Sequence, residues 1–251
     1  MRLEVIGVTM LMTQFSISAL NDWADRELDL AAGRHRPVAR GRIPARVALG
    51  LAILFALAAI PGALSFGFLS LTIVVLGIGI GWTYDLILKP TPWSFLPFAV
   101  AFPLLPFWLG IVVGRPPSSL LPLFFVGAPL AVAIHLADAI PDRESDREAG
   151  VQTLAVVLGR PAAEVTAAAS FLAGVAIALV TFWHAYGART PLIMTALNAV
   201  VLVSIAFNYA SLSLRRSSPV SLKFRQSFAK WVLILATIVV GLFATVLLAH
   251  G

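Results

Sequence analysis

A chain of 251 residues that is 59% hydrophobic and only 12% charged has too little polar surface to coat a water-soluble core, so its composition excludes a soluble globular domain and makes the bilayer its solvent. The absence of cysteine removes disulfide frameworks, thiolate metal sites and cysteine nucleophiles. A formal charge of +6 invites a nucleic-acid reading, which the placement of the bases then removes.

Eight apolar runs of helix length are predicted in chain order, at 4–20, 45–64, 68–88, 94–114, 119–138, 163–186, 190–209 and 229–250. The expected fold class is therefore all-α, a polytopic transmembrane helical bundle of about eight spans. The first run ends in Asn21-Asp22-Trp23-Ala24-Asp25 with no small-residue cleavage site, so it reads as a span and not as a signal peptide. Its continuation carries Asp22, Asp25 and Asp29 at i, i+3 and i+7, which puts them within about 60° on one helix face. A basic connection follows, and the third run closes on Tyr84 and Lys89. In the fourth run Pro97, Pro103 and Pro106 predict a kink or a broken segment. The fifth run continues into Asp138, Asp142 and Asp146 at i, i+4 and i+8, spanning about 80° of its face. Two carboxylate stripes four helices apart look like an internal duplication.

Eight spans make the connections alternate sides. One side holds 15 of the 18 Lys and Arg, among them Arg34, Arg36, Lys89, Arg143 and Arg147, and the other holds Arg2, Arg115 and Arg189. The positive-inside rule makes the basic side cytoplasmic and puts both chain ends outside. The basic charge is thus a matter of topology, and no nucleic-acid partner is expected. Eleven of the twelve acidic residues lie on the same side, with Glu4 alone opposite. Carboxylates at membrane helix ends are costly unless a cation or water compensates them. Two like-charged stripes are most economically explained as sharing divalent cations, and Mg²⁺ fits hard oxygen ligands supplemented by phosphates. The histidines at 35, 135, 184 and 250 form no transition-metal pattern. The alternative is that the carboxylates are solvated helix ends paired with arginines such as Arg26, Arg143 and Arg147.

The run Asn21-Asp22-Trp23-Ala24-Asp25-Arg26-Glu27-Leu28-Asp29 resembles the NDxxDxxxD motif of the UbiA prenyltransferase superfamily. Asp138 through Asp146, with Gly150 and Thr153-Leu154 behind it, is similar to that family's second Asp-rich motif and its trailing segment. Arg36-Pro37-Val38-Ala39-Arg40-Gly41 resembles its RPxxxG loop, and Tyr84 with Lys89 its tyrosine-lysine element. The four motifs occur in order within the first 160 residues. The resemblance implies a single transmembrane prenyltransferase domain over residues 1–251, with one helix fewer ahead of the first Asp motif than is usual in the family. It implies transfer of an isoprenoid chain from a prenyl diphosphate to a hydrophobic acceptor (aromatic, tetrapyrrole or lipid), with Mg²⁺ as cofactor and membrane lipids as surroundings. Asp22, Asp25, Asp138 and Asp142 would hold the metal, with Tyr84 and Lys89 acting beside them. Asn21, Asp29, Arg36 and Asp146 would complete the binding of the cofactor and the diphosphate. This assignment suits the chemistry, because a diphosphate leaves well only when its charge is neutralised. The competing class is a transport-type or non-catalytic membrane protein that binds divalent cations or phosphorylated lipids. A transporter would place its carboxylates near the bilayer midplane. Here they cluster at helix ends.

Overall fold

The computed structural model describes residues 2–31 and 33–186; the expected spans 190–209 and 229–250, and the basic residues between them, lie outside the described residues. Within that range the chain is helical, with no strand among the described residues. Among the described residues six helices are long and apolar enough to cross a membrane. They match the first six predicted runs, and the second agrees to the residue: α3 spans Ala45–Leu64. The chain falls into two compact units, one built from the residues up to Lys89 with Ile111–Gly114, the other from Pro90–Gly110 with the described residues from Arg115 onward.

The first unit consists of α1 (Arg2–Ala24), the short α2 (Arg26–Ala31), α3 and α4 (Phe68–Thr83), which runs on into a π-helix at Tyr84–Leu88. Its packing is that of a membrane protein, with small and polar residues prominent among the buried positions of α1 and α3 and many large apolar ones facing out. Thr9, Thr13, Ser16 and Leu20 form the buried stripe of α1, and Ala48, Ala52, Ala59 and Ala63 that of α3. Leu54, Leu57 and Leu76 are more than half exposed, as lipid-facing side chains are. With no hydrophobic force between helices in lipid, close approach of backbones and hydrogen bonds across helices hold such pairs together. The Ser16 hydroxyl donates to the Ala52 carbonyl at 2.8 Å, and the Trp82 indole donates to Ser16 at 3.2 Å. Thr9 and Thr13 donate back to Val5 and Thr9 carbonyls within α1.

The second unit begins with a 3₁₀ turn at Pro92–Ser94, then α5 (Phe95–Val112), α6 (Pro117–Leu120), α7 (Pro122–Glu148) and α8 (Leu154–Tyr186). α5 is one continuous helix despite Pro103 and Pro106, so of the expected kink or broken segment the break is absent; Pro97 sits in the first turn, where its missing N–H is no loss. Pro103 instead packs where Gly127 of α7 leaves room. α7 extends ten residues past the apolar run that predicted it, because Asp, Arg, Glu and Ser continue a helix that has left the apolar layer. α8 likewise starts early, but Gly159, at φ +71°, interrupts it in the left-handed region that only glycine enters freely.

α7 and α8 meet closely at Gly174, where an added Cβ would lie 2.7 Å from Leu130 Cγ and 3.2 Å from the Val126 carbonyl oxygen. Gly174→Leu is therefore expected to destabilise the protein by about 1–3 kcal/mol through overpacking. A fall in Tm in detergent checks this, and an unchanged Tm would show that the contact is loose.

Candidate functional site

The first carboxylate stripe survives a break in helix assignment at Asp25. The Asp25 amide donates to Asn21 at 2.9 Å and the Asp29 amide to Asp25 at 2.8 Å, so the i to i−4 ladder carries the face across the junction of α1 and α2. Each of the three carboxylates meets a base. Asp22 lies 3.7 Å from the Arg36 guanidinium, Asp29 accepts from Arg34 at 3.1 Å, and Asp25 accepts from the Lys89 ammonium. Asp29 and Asp25 are nearly buried, at 5% and 12% side-chain exposure, whereas Arg34 and Arg36 are more than half exposed. The acids are thus fixed and the arginines are free to exchange partners with the solvent side.

Local structure explains why these bases arrive. After α2 the chain folds into a tight turn, in which the Arg40 amide donates to Arg36 and the Arg42 amide to Pro37, both at 3.0 Å. Val38 plugs the turn from inside, and Gly41 closes it at φ +68°. Arg36 is held at the mouth of this turn. Lys89 is placed by the π-helix: its amide donates to the Tyr84 carbonyl at 2.9 Å, an i to i−5 bond, and its ammonium stands 5.9 Å from the Tyr84 ring centroid. Such single π-turns gather at functional sites.

The π-turn also brings in a residue that the sequence reading did not place in the site. Asp85 is buried at 7% exposure while Leu86 and Ile87 face outward. Its Oδ1 accepts from Asn21 Nδ2 at 2.9 Å, and its Oδ2 is buried without a hydrogen-bond partner. An unmet acceptor of this kind costs about 1–3 kcal/mol. The available signal was a lone carboxylate directly after Tyr84 in an otherwise apolar run.

The second stripe belongs to the other unit and differs in kind. Asp138, Asp142 and Asp146 all lie within α7. Asp138 and Asp142 are exposed, and neither carries an ion pair among the described residues. Arg143 and Arg147 are both taken by Glu144. Arg26 pairs with Glu27. None of the three arginines first considered as partners of the stripes therefore serves them. One turn before Asp138, His135 is buried with Nε2 3.0 Å from the Ser94 hydroxyl and its ring 4.5 Å from that of Phe98.

Among the described residues no three Asp, Glu or His side chains converge tightly enough to cage a metal ion alone. The donor set is all hard oxygen, and Asp85 Oδ2 lacks a partner. This fits Mg²⁺, which binds through one or two carboxylates together with waters and substrate phosphates and does not need an all-protein cage.

Comparison with known proteins gives the family and the fold. Residues 3–234 match the UbiA prenyltransferase family. The chain is 33% identical over 161 residues to 4-hydroxybenzoate octaprenyltransferase of Cupriavidus necator, covering 62% of this chain and 56% of that protein. It is 31% identical over 154 residues to the bacteriochlorophyll synthase 33 kDa chain of Rhodobacter capsulatus, covering 56% and 50%. The matched stretch is about half the length of these curated relatives. In fold, it resembles a UbiA homolog from Archaeoglobus fulgidus bound to GPP and Mg²⁺, with a TM-score of 0.67 at 17% identity over 96% of this chain and 88% of that one. On the match that runs through both carboxylate stripes, this chain belongs to the UbiA prenyltransferase family.

Proposed function

We propose that this chain transfers a prenyl group from a Mg²⁺-bound prenyl diphosphate to a hydrophobic acceptor of the aromatic or tetrapyrrole kind that its relatives' names indicate. The observation that carries the reading is the pairing of Asp22 with Arg36 and of Asp25 with Lys89. Acids that ligate hard cations and bases that ligate phosphate are here each other's partners, so an incoming metal diphosphate has a complete set of groups to exchange with. Arg36 and Lys89 turn to the phosphate oxygens, where charge-assisted hydrogen bonds replace the ion pairs they leave. Asp22 and Asp25 would thereby be released for a cation, and on α7 Asp138 and Asp142 offer a second carboxylate pair that would take a cation in the same way. Bound Mg²⁺ supplies the Lewis acidity that neutralises the departing diphosphate. Asn21, Asp29 and Asp146 support these ligands. The Tyr84 ring, which stands beside the Lys89 ammonium, would offer the same face to the positive charge that develops on the allylic carbon. The positive-inside distribution of the bases supports the cytoplasmic face for this chemistry.

Because the exchange needs both partners, Mg²⁺ and diphosphate are expected to bind synergistically. In a thermal-shift titration in detergent, geranyl or geranylgeranyl diphosphate with Mg²⁺ should raise Tm by more than the sum of the two alone. Diphosphate release with 4-hydroxybenzoate as the first acceptor tried then reads turnover. Additive shifts would argue against partner exchange, and no shift with either diphosphate would sink the prenyltransferase reading.

A further inference from the structure

The diphosphate reading uses Asn21 but leaves unexplained why a carboxylate is buried beside it with one oxygen unmet. Asp85 is carried inward by the π-helix, whose extra residue per turn rotates it away from the outward-facing Leu86 and Ile87. A carboxylate oxygen facing an amide can only be answered by the NH₂ end. The 2.9 Å contact between Asp85 Oδ1 and Asn21 Nδ2 therefore fixes the amide flip and leaves Asn21 Oδ1 as the atom turned away from Asp85. That oxygen is the one that ligates hard cations. The remaining atom, Asp85 Oδ2, is buried and has no donor among the described residues. Lys89, the nearest base in sequence, is engaged by Asp25. An acceptor built into a dry place without a donor is suited to one that arrives with a ligand, and a hydrated Mg²⁺ brings several water protons.

The geometry points to Asp85 as an unassigned positioning residue of the cation site: Oδ1 orients Asn21 as an oxygen ligand, and Oδ2 receives a hydrogen bond from a water of the incoming Mg²⁺. The inference rests on the diphosphate reading and adds to it a carboxylate outside both Asp-rich motifs. It explains why Asp85 need not converge with the other carboxylates on one point, since it acts through Asn21 and through water.

Asp85→Asn separates this from a merely structural role, because the substitution is nearly isosteric and removes a buried charge that lacks a full set of partners. Three quantities are measured on the purified full chain: Tm without ligand, the Mg²⁺ concentration that half-saturates the Tm shift at fixed geranyl diphosphate, and Mn²⁺ binding by EPR in the same mixture. Asp85→Asn is expected to keep or raise the ligand-free Tm while raising the half-saturating Mg²⁺ and Mn²⁺ concentrations about 10-fold or more, the range of lost outer-shell partners. Asn21→Ala is expected to weaken cation binding too, and the double variant is expected to lose less than the product of the two single losses, because the Oδ1 arm of Asp85 acts through Asn21 while its Oδ2 arm acts through water. A lower ligand-free Tm with unchanged cation affinity would make Asp85 a structural residue and overturn the inference, as would fully additive effects. Wild-type protein that responds to Mg²⁺ and geranyl diphosphate beside an Asp85→Asn variant that responds identically overturns this inference alone. A wild-type protein that does not respond overturns the diphosphate reading and this inference with it.

Discussion

Alanine at position 25 should lower diphosphate release by about 10²–10³-fold, the scale of a lost electrostatic group at a reacting centre. It should also lower Tm. The two effects have separate causes. Activity falls because Asp25, with its backbone in the α1–α2 ladder and its side chain 12% exposed, is one of the two carboxylates that the proposed function gives to the cation. Stability falls because Lys89, two thirds buried, loses its partner. The size of that loss lies between the roughly 3–5 kcal/mol of a broken buried pair and the under about 1 kcal/mol of a surface one, since water reaches part of the ammonium. Adding Lys89→Met to Asp25→Ala removes the stranded charge. The double variant should therefore recover most of the Tm and none of the activity. If Asp25→Ala keeps near-native diphosphate release, the stripe is a structural ion-pair ladder and the catalytic role is lost.

What the sequence showed and what it hid divide along physical lines. Hydropathy located the spans because it reports contact with lipid, and α3 ends where its apolar run ends. It stops ten residues short of the end of α7 for the same reason, and there the i, i+4 and i+8 spacing of Asp138, Asp142 and Asp146 carried the helix on: Asp138–Glu148 is helical by its hydrogen bonds yet polar by its surroundings. The i, i+3 and i+7 spacing was enough to put Asp22, Asp25 and Asp29 on one face. Their partners were not legible, because Arg34 meets Asp29 only where the chain leaves α2 and Arg36 meets Asp22 from the start of the turn that Gly41 closes, while the nearer Arg26 goes to Glu27. Asp85 was hidden by the π-turn. At ordinary helical rotation Asp85 would have a different outlook, and no propensity scale marks where a helix takes in one extra residue.

Asparagine at position 142 should produce the opposite combination, with diphosphate release lower by a similar 10²–10³-fold, on the order of other lost electrostatic ligands, and Tm unchanged or slightly higher. Asp138 and Asp142 stand four apart on α7, exposed, with no ion pair among the described residues, while Glu144 occupies both nearby arginines. Like charges at this spacing destabilise a helix by about 0.2–0.5 kcal/mol, and Asp142→Asn relieves that repulsion. Diphosphate release and Tm measured on the same preparation decide the matter. A variant that loses Tm but keeps turnover would make the second stripe an ordinary solvated helix end. The expected result, activity lost where stability is not, is the signature of groups retained for a ligand against the interest of the fold. The contrast with Asp25 then acquires a cause: on the proposed function the first stripe is neutralised in advance by bases that the diphosphate must draw away, whereas Asp138 and Asp142 carry no ion pair among the described residues.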